Sequence, residues 1–242
     1  MTDLSERQIA LLGAIIKEYV ETAEPVGSEA IVQKYNLQVS PATVRNEMVE
    51  LTRKGFLSKP HTSAGRIPSA MALRFFIKDL MEEERIPVVS ETSLRQRLWE
   101  KRFEREKLIR EAVAVLADKT GELSMATVEE GPVYYSGISN ILNYPEFYDI
   151  DLTKSVLSLL DQHEILLNLF SRVTSESPVR VLIGDDLGMP TFGNCSLVYA
   201  PYDLGSLSGN LGVFGPSRMD YPRIIPWVRF ISDLLSELSG NW

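Results

Sequence analysis

Along the first eighty residues apolar side chains recur at helical spacing, each run opened by a capping residue. Ser5, with Gln8 three positions on, is a capping-box start. Ile9, Leu12, Ile16 and Tyr19 or Val20 then mark one helical stripe, and Pro25 follows its stop. The stretch "SEAIVQKYN" predicts a second, shorter helix capped by Ser28 and ending near Asn36. Ser40 before Pro41 opens a third, with the proline at the first helical position. Val44, Met48 and Leu51 form its inward stripe, and Gly55 suits the position just past its end. "FLSK" alternates like a strand, "PHTSAG" has the composition of a turn, and "RIP" reads as a return strand. Ser69 to Glu84 predicts a further helix on Leu73, Phe76, Ile77 and Leu80, and "RIPVVSETS" then breaks the pattern.

Beyond that break, Ser93 to Lys119 predicts one long helix, which would span about 40 Å at 1.5 Å per residue. Its charges alternate in sign, the pattern of surface ion pairs. From residue 120 the patterns are mixed. "SVLSLLDQHEILLNLFSRV" reads as helix, "VRVLIG" and "NCSLVYAPY" as strands, "GNLGVFGPSRMDYP" as turn, and "IIPWVRFISDLLSELS" as a final helix. The expected organisation is therefore α+β: an N-terminal domain over 1–84, a linker and long helix over 85–119, and an α+β domain over 120–242.

Three short helices followed by a two-stranded hairpin is the element order of a winged helix-turn-helix, whose third helix enters the DNA major groove. Opposite its inward stripe, that helix carries Thr43, Asn46, Glu47, Glu50 and Arg53, with Ser40 at its start. Asn reads adenine bidentately, and Ser or Thr can meet bases or backbone. The net charge of −8 argues against a polyanionic partner until its distribution is read. Residues 1–39 hold three basic and six acidic side chains, whereas residues 40–78 hold seven basic against two acidic. Phosphate contacts respond to charge within about 10 Å, not to the sum over the chain. A winged helix that binds protein rather than DNA has the same element order.

Other chemistries find little support. Apolar and charged fractions of 44% and 24% are those of a globular protein. No apolar run nears the roughly 18 residues of a membrane span. The start "MTDLSERQ" lacks a basic, apolar leader, so the expected location is cytoplasmic. One cysteine and two histidines exclude a disulfide framework and zinc-finger spacing, and no metal or cofactor is expected. His61 and Ser63 stand in a turn without a G-x-S-x-G elbow, and no phosphate-binding glycine motif occurs. Asp185 and Asp186 read as a loop pair, Cys195 as a buried structural thiol, and His163 as a helix-surface residue. No enzyme is expected.

The stretches "EPVGS", "SPATVRNEM" and above all "KPHTSAGRIPS" resemble those of the HrcA family of heat-inducible transcription repressors. "GISNILNYPEF", "VLIGDD", "CSLVYAPYDLG" and "GNLGVFGPSRMDYPRII" are similar to that family's C-terminal motifs, in the same order. The resemblance implies a homodimeric repressor with a winged helix and a GAF-like domain, acting on an inverted-repeat CIRCE-type operator ahead of chaperone genes. It further implies the chaperonin GroEL as a partner. Ser40 to Arg53 becomes the recognition helix and His61 to Arg66 the wing tip. Thr43 and Asn46 are the expected base contacts; Ser40, Arg45, Arg53, His61, Thr62, Ser63 and Arg66 are the expected phosphate or minor-groove contacts. This chain is shorter than the family pattern between "ATVEEG" and "PVYYSG", which implies a reduced GAF-like domain with dimerisation moved elsewhere. The alternative role is a winged-helix regulator whose GAF-like domain senses a small molecule.

Overall fold

A computed structural model describes residues 4–35, 39–61, 64–129, 131–172, 177–205 and 207–239. The chain divides into two compact units, Met1–Glu82 and Glu83–Trp242.

The first unit is built on α1 (Glu6–Thr22), α2 (Ser28–Tyr35) and α3 (Pro41–Arg53), followed by the short antiparallel strands β1 (Leu57–Ser58) and β2 (Ile67–Pro68). Ser5 and Gln8 form the expected capping box on α1. The second helix starts one residue early: the Gly27 carbonyl accepts the Ile31 N–H at 3.3 Å, and Ser28 is already helical. Leu12, Ile15 and Ile16 of α1, Ile31 of α2, and Val44, Met48 and Leu51 of α3 are buried together with Phe56 and Leu73. The fourth helix is shorter than its periodicity predicts. Ser69 caps α4 (Ala70–Phe75), which passes into a π-type turn over Phe76–Leu80 and stops at Met81 in extended backbone.

In the second unit the predicted long helix is two: α5 (Val88–Trp99) and α6 (Arg105–Thr120). The Arg102 guanidinium lies 4.1 Å from the Trp99 ring centre and 4.0 Å from that of Phe103. It also donates to the Trp99 carbonyl at 2.8 Å, stabilising the turn. With the chain doubled back, the two helices meet, and Arg97 pairs with Glu111. Periodicity could not show the break, because charged residues continue through it.

The sheet comprises β3 (Leu123–Val128), β4 (Val133–Ser136), β5 (Arg180–Ile183), β6 (Cys195–Asp203) and β7 (Ser208–Pro216), antiparallel throughout in the order β4-β3-β7-β6-β5. On one face Met125, Leu197, Tyr199 and Phe214 pack with Val156 and Leu159 of α7 (Ile150–Asp161) and Leu166 and Phe170 of α8 (His163–Phe170). The other face is covered by α6 and by α9 (Tyr221–Ser239). The unit is α+β, as expected. β3 and β4 went unpredicted: β3 is buried along its whole length, and a strand covered on both faces loses its alternation, while β4 is only four residues long.

The largest correction concerns "GNLGVFGPSRMDYP", read as turn. Most of it is β7, paired on both sides. Its glycines permit close approach of neighbouring groups. A Cβ on Gly209 would lie 1.8 Å from the Thr127 carbonyl oxygen, and one on Gly212 would lie 2.4 Å from that of Val198. Only glycine fits there without displacing the adjoining strand.

Candidate nucleic-acid interface

The third helix is fixed at both ends. The Ser40 hydroxyl accepts the Thr43 N–H at 3.1 Å. At the other end Phe56 N–H donates to the Leu51 carbonyl at 2.9 Å and Gly55 N–H to that of Thr52 at 3.0 Å. That pair of bonds is a Schellman end, and Gly55 takes the left-handed conformation it requires, with φ of 83°. With Val44, Met48 and Leu51 inward, the exposed stripe consists of Ala42, Arg45, Asn46, Val49 and Arg53.

This stripe differs from the face read off the sequence. Thr43 and Glu47 lie on the flank turned to α1, around a crevice of about 150 Å3 shared with Arg7 and Leu11. Thr43 is half-buried, its hydroxyl 3.0 Å from that of Ser40. Glu47 accepts from the Gln8 amide at 2.9 Å and pairs with Arg7. The Gln8 bond, then the Arg7 contact, hold its carboxyl below the usual range despite partial burial. Helical periodicity gave Glu47 a solvent position because nothing local announces a partner on another helix. Arg45 and Asn46 are exposed as expected, and Arg45 forms no ion pair among the described residues. Arg53 is exposed and paired with Glu50 at 2.8 Å.

Across from α3 stands the hairpin. Arg66 forms an isolated antiparallel bridge with Val26, their backbone groups bonding at 2.8 and 2.9 Å. A Cβ on Gly65 would meet the Val26 carbonyl oxygen at 2.4 Å, so the close approach of "EPVGS" and "SAGRIP" requires glycine. The Arg66 guanidinium turns toward α3 and donates to the Thr52 hydroxyl at 3.1 Å, while that hydroxyl donates to the Met48 carbonyl at 2.7 Å. Arg66 therefore stands at the base of the hairpin, half-buried. His61 is exposed in the turn, and its carbonyl accepts the Ala64 N–H at 3.0 Å. Thr62 and Ser63 lie outside the described residues. A groove of about 330 Å3 runs between hairpin and helices, lined by Arg45, Lys59 and Arg66 beside Ser28 at the start of α2. Its lining contains three cations. Lys59 and exposed Val49 complete this surface and were not among the expected contacts. Lys59, beside Pro60, carried only the generic signal of a basic residue near a turn.

The second unit also gathers polar residues, in its interior. Glu122, buried just before β3, accepts from the Tyr144 hydroxyl at 2.5 Å, and its Oε2 has no hydrogen-bond partner among the described residues. Burial pushes its carboxyl up to about 8, against smaller opposing effects of the Tyr144 bond and of Arg223 and Arg218. Arg218 binds Glu146 in a fork, at 2.6 and 3.0 Å. Arg223 donates to the Thr120 carbonyl at 2.5 Å. Asn140 donates to the Glu122 carbonyl at 3.1 Å. The remaining sequence candidates are structural. Asp186 accepts the Ile183 N–H at 3.1 Å inside a 3-10 turn. Cys195 is buried, its thiol pushed up to about 12 chiefly by that burial. His163 begins α8, half-buried.

The model of the HrcA protein C-terminal domain matches residues 40–225. The chain belongs to the HrcA family. The heat-inducible transcription repressor HrcA of Syntrophobacter fumaroxidans is 30% identical over 341 aligned positions, covering 98% of each chain. That of Carboxydothermus hydrogenoformans is 28% identical, covering 98% of this chain and 99% of its own. The first alignment's 341 positions exceed the 242 residues here by 99, so this HrcA-family chain is a shortened one. A crystal structure described as that of a hypothetical protein, at 2.2 Å resolution, superposes with a TM-score of 0.79 at 18% identity. It covers 98% of this chain and 99% of its own, and the likeness is one of fold. Two of the family's C-terminal stretches converge on the buried cluster: "GISNILNYPEF" supplies Asn140, Tyr144 and Glu146, and "GNLGVFGPSRMDYPRII" supplies Arg218 and Arg223. Those HrcA-like motifs serve the interior of the second unit.

Proposed function

We propose that this chain is a DNA-binding repressor of heat-shock (chaperone) genes, acting without catalysis in the cytoplasm at the nucleoid. The first unit is a winged helix-turn-helix with α3 as recognition helix and the β1–β2 hairpin as wing. The second unit is a shortened GAF-like domain. Two copies bind an inverted-repeat, CIRCE-type operator, since one recognition helix reaches one half-site and a palindrome matches two-fold symmetry. The names of the curated relatives support the repressor role, and GroEL enters as a partner on the family resemblance alone.

The observation that carries the reading is the groove on which Arg45, Lys59 and Arg66 converge. Phosphate oxygens are the complementary ligand, and the N-terminus of α2 adds a favourable dipole. Asn46, on the exposed stripe, is assigned to base edges and Val49 to a thymine methyl, while Arg45 is assigned to phosphate. Ser40 and Thr43 at the start of α3, Arg53 at its end, and His61, Thr62 and Ser63 in the wing are assigned to the flanking backbone.

Fluorescence anisotropy with a labelled inverted-repeat duplex, at fixed salt, tests this. The intact repeat should bind about a thousandfold tighter than a scrambled duplex, and deleting one half-site should remove most of that preference. Equal affinity for repeat and scramble would overturn the assignment.

A further inference from the structure

Most arginines on the second unit's helices are matched by carboxylates: Arg95 by Glu237, Arg97 by Glu111, Arg110 by Glu106 and Arg229 by Glu83. Arg180, at the start of the edge strand β5, has no such match. Among the described residues its buried Nε has no hydrogen-bond partner, and no ion pair to it forms. Its guanidinium lies 5.9 Å from the Tyr199 ring centre. That ring is held rigid by an edge-on contact with Phe170 at 4.9 Å and by its hydroxyl, which donates to the Phe170 carbonyl at 2.9 Å. A buried N–H left without an acceptor is costly, and a carboxylate is its strongest complement.

Arg180 lines an open cleft of about 660 Å3 at this end of the sheet, within the usual size of small-ligand sites, about 300–1,000 Å3. The strand register orders its chemistry. Arg180 pairs with Tyr199, Pro201 with Asn210 two residues on, and Asp203 with Ser208 two further. Glu129 joins that last row, its N–H donating to the Ser208 carbonyl at 3.0 Å. All these positions share one sheet face, because side chains two apart on a strand point the same way. The cleft therefore has a cation at one end and two carboxylates at the other, roughly 13 Å apart along the strands at about 3.3 Å per residue. Neither Glu129 nor Asp203 has an ion-pair partner among the described residues. Between the two ends, Leu167, Phe170 and Pro201 supply an apolar wall.

From this arrangement we propose that the cleft binds an extended zwitterion of the amino-acid kind, its carboxylate on Arg180 and its ammonium between Glu129 and Asp203. A simple anion would meet two like charges at the mouth, and a simple cation would leave the Arg180 N–H unmatched. The assignment is independent of the DNA-binding reading, since it uses residues of the second unit alone.

The probes are 6-aminohexanoate, hexanoate and hexylamine, which differ only in which charged ends they carry. Titration calorimetry and thermal unfolding of the whole chain should show 6-aminohexanoate binding and raising Tm, with the other two at least about tenfold weaker. Arg180→Gln should weaken 6-aminohexanoate about tenfold or more, with Arg180→Lys intermediate. Glu129→Gln with Asp203→Asn should weaken it without affecting hexanoate adversely. Circular dichroism confirms that each variant is folded, and chemical-shift changes confined to the cleft provide a second readout. Binding of hexanoate as tight as 6-aminohexanoate, equal binding by Arg180→Gln, or no binding of any probe at millimolar concentration would each overturn the proposal.

Discussion

Two pairs of arginines, one pair in each unit, are held in opposite ways. In the first, Arg45 stands exposed without an ion pair among the described residues, and Arg66 is held by a neutral hydroxyl. In the second, Arg218 and Arg229 are each forked onto a carboxylate, Glu146 and Glu83. A guanidinium bound to a neutral oxygen keeps its full charge for an external anion. One forked onto a partly buried carboxylate is neutralised and serves to join segments. On the proposed reading, the contrast separates a surface that meets phosphate from an interior arranged for cohesion, although both are built from the same residue type.

The strongest way to break that contrast is Arg218→Ala. Removing one partner of a buried pair strands the other, so stability should fall by about 3–5 kcal/mol. Urea unfolding followed by tryptophan fluorescence reports it, since all three tryptophans lie beyond residue 82. A loss below about 1 kcal/mol would show that Glu146 finds water instead. Next in size is a pH effect at Glu122. Its folded pKa is raised to about 8 from an ordinary carboxylate value. Between those values the native state binds more protons than the unfolded state, so stability should fall as pH rises, reaching a plateau above about 8. The slope should approach about 1.4 kcal/mol per pH unit at most, and Glu122→Gln should flatten it. An unchanged slope in the variant would locate the proton elsewhere.

Smaller effects belong to the exposed surface of the first unit. Asn46→Ala should cost about 1–3 kcal/mol on an inverted-repeat duplex and nearly nothing on a scrambled one. Equal losses on both would remove the base-contact role. Arg45→Ala should instead weaken every sequence and reduce the salt slope of binding by about one. Neither change should alter stability by more than about 0.5 kcal/mol, because both side chains are exposed. A larger destabilisation would erase the difference between the two units.

The local part of this fold was legible in the residues. The Ser5–Gln8 capping box, the Ser40-Pro41 start and the Gly55 stop are signals confined to one turn, and all three are realised. The inward stripe of Val44, Met48 and Leu51 was equally plain, since a periodic pattern needs no knowledge of what lies opposite. The long charged helix failed for the complementary reason. Charges along its surface are compatible with continuing or folding back, and the Arg102 stack that supports the turn depends on side chains meeting in space.

Sequence therefore determined the helices of the first unit, the basic bias of residues 40–78 and, through its motifs, the family. Tertiary structure decided which of those residues remain available. It turned Glu47 onto α1, brought Arg66 against Val26 and Thr52, placed β7 at the centre of a sheet and assembled the Glu122 cluster from three separated stretches. The physical reason is common to these cases. Caps and periodicity act within a few residues, whereas neutralising a charge or excluding a Cβ depends on groups that only the folded chain brings together.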